Sequence, residues 1–412
     1  MMRCQLLAGL LCFGTFGGGA AEWQWDWQSG IAVEDTRATT FFADVDNDAQ
    51  WQSLLSLQLT TGAWRSTGSV QHNQAVNSSE QQSHATLSSL YWQQSLNAQA
   101  DWELTLGKLQ LDWGVGYGYR PLNIFSDYQR HPVGIQVEQG AQVAMLTRFT
   151  SDGTWQWLTS RSHHSSLDTS QTQQGLGLRR YWLTDANEWQ ALVYWDQQRH
   201  WLAGASLVTV IGESLELHGS MLYQQQYTRL KLTDLTPGAT TVAIQRQTQQ
   251  HSWQTLLGFT WASSHGVQLI GEYWYDSRSW SKADWQRAQQ QAQFWQQPWQ
   301  SSSTQRNAGL YAIGYSHTNI LQHTVLLHLA ANSRFWRQFT TALSPLTISI
   351  DCLYGPSDGS VVLTPRVQYQ LLDGRSSLTL SLSWRYYGGQ PSAAFANLGQ
   401  QSVTWFGLSG RF

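Results

Sequence analysis

The residues best able to do chemistry are a few charges standing alone in runs that are otherwise uncharged. Arg366 and Arg385 fall on the polar face of their alternating segments, and Asp351 stands beside Ile350. Arg148 lies between Thr147 and Phe149, Glu103 between Trp102 and Leu104, and Glu272 between Gly271 and Tyr273. Sparse charges of both signs on one side of a wall can impose a field across an aqueous passage. The same charges can instead pair and fill the space. A second stretch, Trp113-Gly114-Val115-Gly116-Tyr117-Gly118-Tyr119-Arg120-Pro121-Leu122-Asn123, alternates three glycines with aromatics. It is not a dinucleotide fingerprint, because the third glycine comes too early and no helical pattern follows. Nor is it a P-loop, having no Gly-Lys-Ser/Thr. Glycine at alternate positions clears one face of the chain, so a loop can pack closely or bend inward. Gly114, Gly116, Tyr117, Gly118, Tyr119, Arg120 and Asn123 are therefore candidates for an inward loop.

Enzymatic constellations are poor. His163 and His164 with Asp168 lack an evident third ligand, so no metal is expected. Serine is so abundant that a Ser–His–Asp trio could be drawn almost anywhere, which gives such a trio no weight. No catalytic residue and no cofactor is expected. Of the 3 cysteines, Cys4 and Cys12 lie in the leading segment. Cys352 continues the series Leu346, Ile348, Ile350 and reads as a small apolar side chain.

The elements that would carry these residues are strands. From Leu378 every second residue is apolar (Leu378, Leu380, Leu382, Trp384, Tyr386), with Ser377, Thr379, Ser381, Ser383, Arg385 and Tyr387 between. Period two gives one oily and one wet face. Asp373-Gly374, between this run and another through Val361, Leu363, Val367, Tyr369 and Leu371, signals a hairpin. Similar segments recur from 51–62 to 402–412, about 18 in all, including 307–316 and 335–342. Short links such as 151–153, 184–187 and 212–213 alternate with long ones at 63–83, 114–135, 228–251 and 277–306. One long link is helical: Ser281-Lys282-Ala283-Asp284 resembles a capping box. Trp285, Ala288, Ala292 and Trp295 then follow at three- to four-residue spacing, and Pro298 stops the run. That helix is either a lid on the rim or a segment folded into the lumen.

The 412 residues include 24 Trp, yet charged residues are only 12%, about half the globular norm. No apolar run of ~18 residues follows the first 21, so no membrane helix is expected. A mean hydropathy of −0.38 with so many aromatics suits a wall that is half lipid-facing and half wet. The net charge of −3 argues against nucleic acid. Residues 1–21 read as a cleaved export signal, with Arg3, an apolar run to Phe16, and Gly19 and Ala21 as small residues before Glu22. Leu10-Leu11 before Cys12 disfavour a lipoprotein site. Residues 22–50 are an N-terminal segment or first strand, and 51–412 form the barrel.

The closing Trp405, Phe406, Leu408 and Phe412 resemble the C-terminal signal of Gram-negative outer-membrane β-barrels. The hairpin ending in Trp113-Gly114, followed by Leu122-Asn123-Ile124, resembles a porin-like group of those proteins. The likeness covers 87–150 and both ends, and departs in having Asn123 where an acid is usual. It implies an all-β, transmembrane, antiparallel up-and-down barrel of about 18 strands (16–18), with short periplasmic turns and long extracellular loops. Residues 22–50 leave no room for a TonB-type plug. The implied partners are outer-membrane lipid and lipopolysaccharide, the barrel-assembly machinery through Phe412, and small hydrophilic solutes. The implied role is passive diffusion, with Arg148, Arg366, Arg385, Glu272, Asp351 and Glu103 lining the pore. Trp and Gln suit uncharged, sugar-like solutes. The alternative is a non-conducting barrel whose loops bind a partner. Monomer and trimer both stay open.

Overall fold

The computed structural model describes residues 21–42, 47–78, 80–125, 133–163, 172–235, 241–297, 300–301, 305–372, 374 and 376–412. Its strands are β1 (Glu22–Thr36), β2 (Asp48–Thr61), β3 (Trp64–Ala75), β4 (Gln81–Ser95), β5 (Trp102–Leu109) and β6 (Ala141–Thr150). Then come β7 (Gly153–His163), β8 (Thr172–Leu183), β9 (Asn187–Asp196), β10 (His200–Ile211), β11 (Leu215–Leu232) and β12 (Ile244–Ala262). Last are β13 (Val267–Asp276), β14 (His323–Ala331), β15 (Leu346–Gly355), β16 (Ser360–Leu372), β17 (Ser377–Gly389) and β18 (Gln400–Arg411). Each strand pairs antiparallel with its chain neighbours, and β1 pairs with both β2 and β18, closing an 18-stranded sheet. Closure leaves no unpaired edge, which a strand-built wall in lipid requires. No helix among the described residues is long and apolar enough to cross a membrane.

Period two sets the two faces. Leu257 on β12 is 66% exposed and Phe406 on β18 is 54% exposed, both pointing outward. On β13, Ile270, Glu272, Trp274 and Asp276 are buried inside while Tyr273 faces out. Short turns gather at one end of the barrel, at 62–63, 151–152, 184–186 and 212–214. Long links 110–140 and 277–322 gather at the other.

The strand number matches the expectation, but the segments do not all coincide. Residues 307–316 are not a strand: they form α2 (Asn307–Leu310), which follows α1 (Lys282–Trp295), and then a 3-10 turn, Tyr311–Ser316. Residues 335–342 overlap a short helix, α3 (Ser333–Arg337), inside the turn-end link. Two further strands offset these, β1 and β3, the latter lying within the expected 63–83 loop. The capping box of α1 is present, with Ser281 accepting from the Asp284 N–H and Asp284 accepting from the Ser281 backbone. The helix packs at the rim. Trp280, Trp285, Ala288, Ala292 and Trp295 are buried with Phe41, Leu230, Leu232, Tyr311 and Ala394. Pro298 and the leading segment 1–20 lie outside the described residues.

Candidate functional site

The link from β5 to β6 turns into the barrel because its apolar side chains have a wall to cover. Leu111, Trp113, Leu122, Ile124 and Phe125 are buried against Val143, Met145, Leu158, Tyr194, Leu202 and Leu222 on the inner face of β6–β11. Between these anchors the chain crosses to the far side, where Tyr119 is buried with Leu256, Trp274 and Leu326. The Glu272 carboxylate accepts successive backbone N–H groups of Tyr117 and Gly118, the latter at 2.8 Å. Such a contact requires the backbone itself to approach the wall. At Gly116 (φ +113°) a Cβ would stand 2.3 Å from the Tyr119 carbonyl oxygen and 2.5 Å from Leu256 Cδ2. That position is closed to any side chain.

The side chains of the tip complete the grip. The Tyr117 hydroxyl lies 2.9 Å from His328 Nδ1 and donates to Asp351 at 3.3 Å, while His328 and Asp351 are 2.6 Å apart. His218 Nε2 is 3.2 Å from Glu272 Oε1. Tyr119 donates its O–H to Gln254 at 2.6 Å and lies 3.2 Å from Asp276. Burial raises the pKa of both phenols, with Asp351 adding to the effect at Tyr117 and Arg366 opposing it. Asp276 adds to it at Tyr119 and Arg278 opposes it. Both therefore stay protonated and act as donors at neutral pH. Above the tip is a cavity of about 230 Å³, lined by Tyr117, Tyr119, Asn123, Gln224, Gln254, Trp274, Arg278 and Arg385, among others.

No family model matches the chain, and no curated protein does. Solved structures do. OccAB1 of Acinetobacter baumannii superposes with a TM-score of 0.57 over 95% of this chain and 96% of its own, at 11% identity. OccK8 (OprE) of Pseudomonas aeruginosa gives 0.54 over 95% and 98%, also at 11% identity. The outer membrane protein OpdK of Pseudomonas aeruginosa gives 0.53 over 96% and 100%, at 8%. This chain has an outer-membrane porin fold.

Within that porin fold the residues singled out by sequence separate into groups. Gly116, Tyr117 and Gly118 meet Glu272 or Asp351 at the crossing, and Tyr119 meets Gln254 and Asp276 beside it. Arg385 lines the same cavity and donates to Thr364 Oγ1 at 3.0 Å. Arg366 is on the inner face of β16, opposite Ser349 and Ser383. Arg120 folds back on its own loop, donating to the Gly116 carbonyl at 2.9 Å and pairing with Asp112. Gly114 (φ +94°) backs onto Leu122. Glu103 sits nearer the turn end, accepting from Gln93 at 2.6 Å, away from the crossing. Arg148 is a correction. Ala141, Val143, Met145 and Thr147 take the inner face of β6, so Arg148 is exposed on the outer face, its guanidinium 5.4 Å from the Trp102 ring centre. It lies beside the 151–152 turn, where a charge on the outer face costs only ~0–1 kcal/mol. Sequence reasoning missed His218, His328, Gln224, Gln254 and Trp274. His164 and Asp168 lie outside the described residues, as does the His163 side chain. No metal-binding cluster is found among the described residues.

Proposed function

We propose that the chain forms a bacterial outer-membrane channel for passive diffusion of small hydrophilic solutes, with the 110–125 stretch setting the bore. The supporting observation is the crossing itself: a loop anchored on β6–β11 and hydrogen-bonded to β12–β15 narrows the lumen yet leaves a polar cavity above it. The outward apolar belt supports a membrane location. So do ring pairs such as Trp102–Trp157 and Trp182–Trp189 near the turn end, where interfacial girdles form. In this reading the short turns are periplasmic and the long links extracellular. Lipid and lipopolysaccharide surround the belt, residues 1–21 direct export, and Phe412 engages the assembly machinery. No catalytic role is proposed.

The deciding experiment is single-channel conductance of the refolded chain from Glu22 in a planar bilayer. Stable ohmic steps are expected, with the cation/anion permeability ratio shifted toward cations by Arg366→Glu or Arg385→Glu. A folded barrel that inserts silently would defeat the channel reading and favour a scaffold that works through its loops.

A further inference from the structure

The outer wall carries its cations unevenly. Strands β9, β10 and β13–β15 have no Lys or Arg, and Arg366 of β16 and Arg385 of β17 face the lumen. Lys108, Arg148, Arg161 and Arg180 share the outer face of four consecutive strands, β5–β8. Their orientation follows from their neighbours: Thr105, Thr147, Ser160 and Gln173 are buried on the inner face, while Leu106 and Leu176 are 40% and 54% exposed. Cross-strand pairing sets Lys108, Gln142, Arg161 and Gln174 side by side in one row near the loop end. The next row toward the turns is Leu106, Ala144, Thr159 and Leu176. Six residues along the strands from the first row stand Trp102, Arg148, Trp155 and Arg180. At ~3.3 Å per residue the two cationic rows are ~20 Å apart along the strands. A tilt of ~40° makes that ~15 Å in height, less than the ~25 Å of a barrel's apolar band. Long basic stems reaching away from the band at each end carry the charges out to the two interfaces.

The two rows differ in how their charges are met. At the turn end Arg180 pairs with Asp152, and the Arg148 guanidinium lies over the Trp102 ring. At the loop end neither Lys108 nor Arg161 forms an ion pair among the described residues, and Lys108 donates to Gln139 Oε1 at 3.5 Å. The acids of the adjoining link do not offset them: Asp112 pairs with Arg120, and Glu138 gives its carbonyl to Gln110. Lys108 and Arg161 stand two strands apart, ~10 Å, with the exposed amide of Gln142 between them. Lys and Arg at a bilayer surface attract anionic headgroups, and Arg matches phosphate geometry with paired donors. Below the charges, Ala144 and Thr159 are small side chains flanked by Leu106 and Leu176, a shallow groove that a free anion would leave unused. We infer that the loop-end outer face of β5–β8 binds one lipopolysaccharide molecule, an anionic phosphoglycolipid. Lys108 and Arg161 hold a lipid A phosphate, and acyl chains lie over Ala144 and Thr159. This rests on the channel reading, which places the loop end in the outer leaflet, and names the lipid that the wall recognises there.

The test uses the refolded chain from Glu22 in nonionic detergent micelles, read by native mass spectrometry. The probes are bisphosphorylated lipid A, the same lipid with both phosphates removed, and phosphatidylglycerol. One lipid A is expected to stay bound at concentrations where the other two do not. Lys108→Gln and Arg161→Gln are each expected to raise the half-saturating lipid A concentration about tenfold, as for loss of one charge-assisted hydrogen bond. Lys108→Arg is expected to retain binding, and Arg148→Gln, at the turn end, to leave it unchanged. Should Arg161→Gln fail to fold, Thr159→Trp fills the groove while keeping both charges and reads the same loss. Equal retention of the dephosphorylated lipid or of phosphatidylglycerol overturns the site. So do Gln variants that hold lipid A like wild type, or an Arg148→Gln barrel that loses it. Single-channel conductance of the same preparation separates the two readings. A silent barrel that holds lipid A through Lys108 and Arg161 keeps the site and defeats the channel. A conducting barrel that does not hold it overturns the site alone.

Discussion

Glu272 binds two consecutive main-chain N–H groups with one carboxylate, a task that an amide side chain cannot repeat. Glu272→Gln supplies a single acceptor oxygen, so one of the two donors, at Tyr117 or Gly118, loses its partner. Hydrogen bonds to a charged group contribute about 1.5–3 kcal/mol each, enough to populate a detached tip. The expected outcome is a larger mean conductance with noisier open-channel current. An unchanged trace would assign the hold to Tyr117, His328 and Asp351 instead. Glu272 and Asp351 were legible as isolated charges in alternating runs. Their partners were not, because His218 and His328 are histidines set among apolar neighbours, and a search for isolated Arg, Lys, Asp and Glu passes over them. Arg148 was misplaced for a physical reason. The rule that polar residues face inward inverts on β6, whose inner face carries Val143 and Met145 to receive the loop's Leu122 and Phe125. Where a lumen is filled by protein, apolar residues line it.

At the scale of elements, closed pairing and loop asymmetry were readable from period two, and α1 was readable from its cap and its Trp–Ala spacing. The strand β3 was not. Ser66, Thr67, Gly68, Ser69, Gln71, His72 and Asn73 give it few apolar residues, and only Trp64 and Val70 strongly mark its outer face. The converse error arose at 335–342. Phe335, Trp336 and Phe339 resemble strand aromatics, but they cluster around α3, with Phe335 and Phe339 centroids 5.4 Å apart. The lid helix offers a clean test. Ser281→Ala removes the acceptor for the Asp284 N–H, at a cost of about 1 kcal/mol. Amide exchange over 282–295 is expected to quicken while exchange in the wall strands stays constant. Equal acceleration in both would show that the lid and the wall unfold as one unit.

At the scale of the whole molecule, everything depends on the closure between β1 and β18. There Gly30 faces Gly407 beneath Trp405, and a Cβ on Gly30 would lie 2.5 Å from the Phe406 oxygen and 2.6 Å from Trp405 Cζ2. Gly30→Leu is expected to abolish the fast-migrating species that closed barrels show in detergent gels before boiling. Persistence of that species would mean that the closure tolerates a splayed pair. The closure also reaches beyond the wall. The Arg37 N–H donates to the Gly399 carbonyl at 2.8 Å, and its guanidinium donates to the Tyr387 and Phe395 carbonyls, each at 3.0 Å. Phe41, just after β1, is buried in the lid core with Ala394, just before β18. The tryptophan-rich cap therefore draws on both ends of the chain. Its final packing is a late event in the life of each molecule: the outer mouth takes shape only after the first and last strands have met, so an unfinished barrel has no finished entrance.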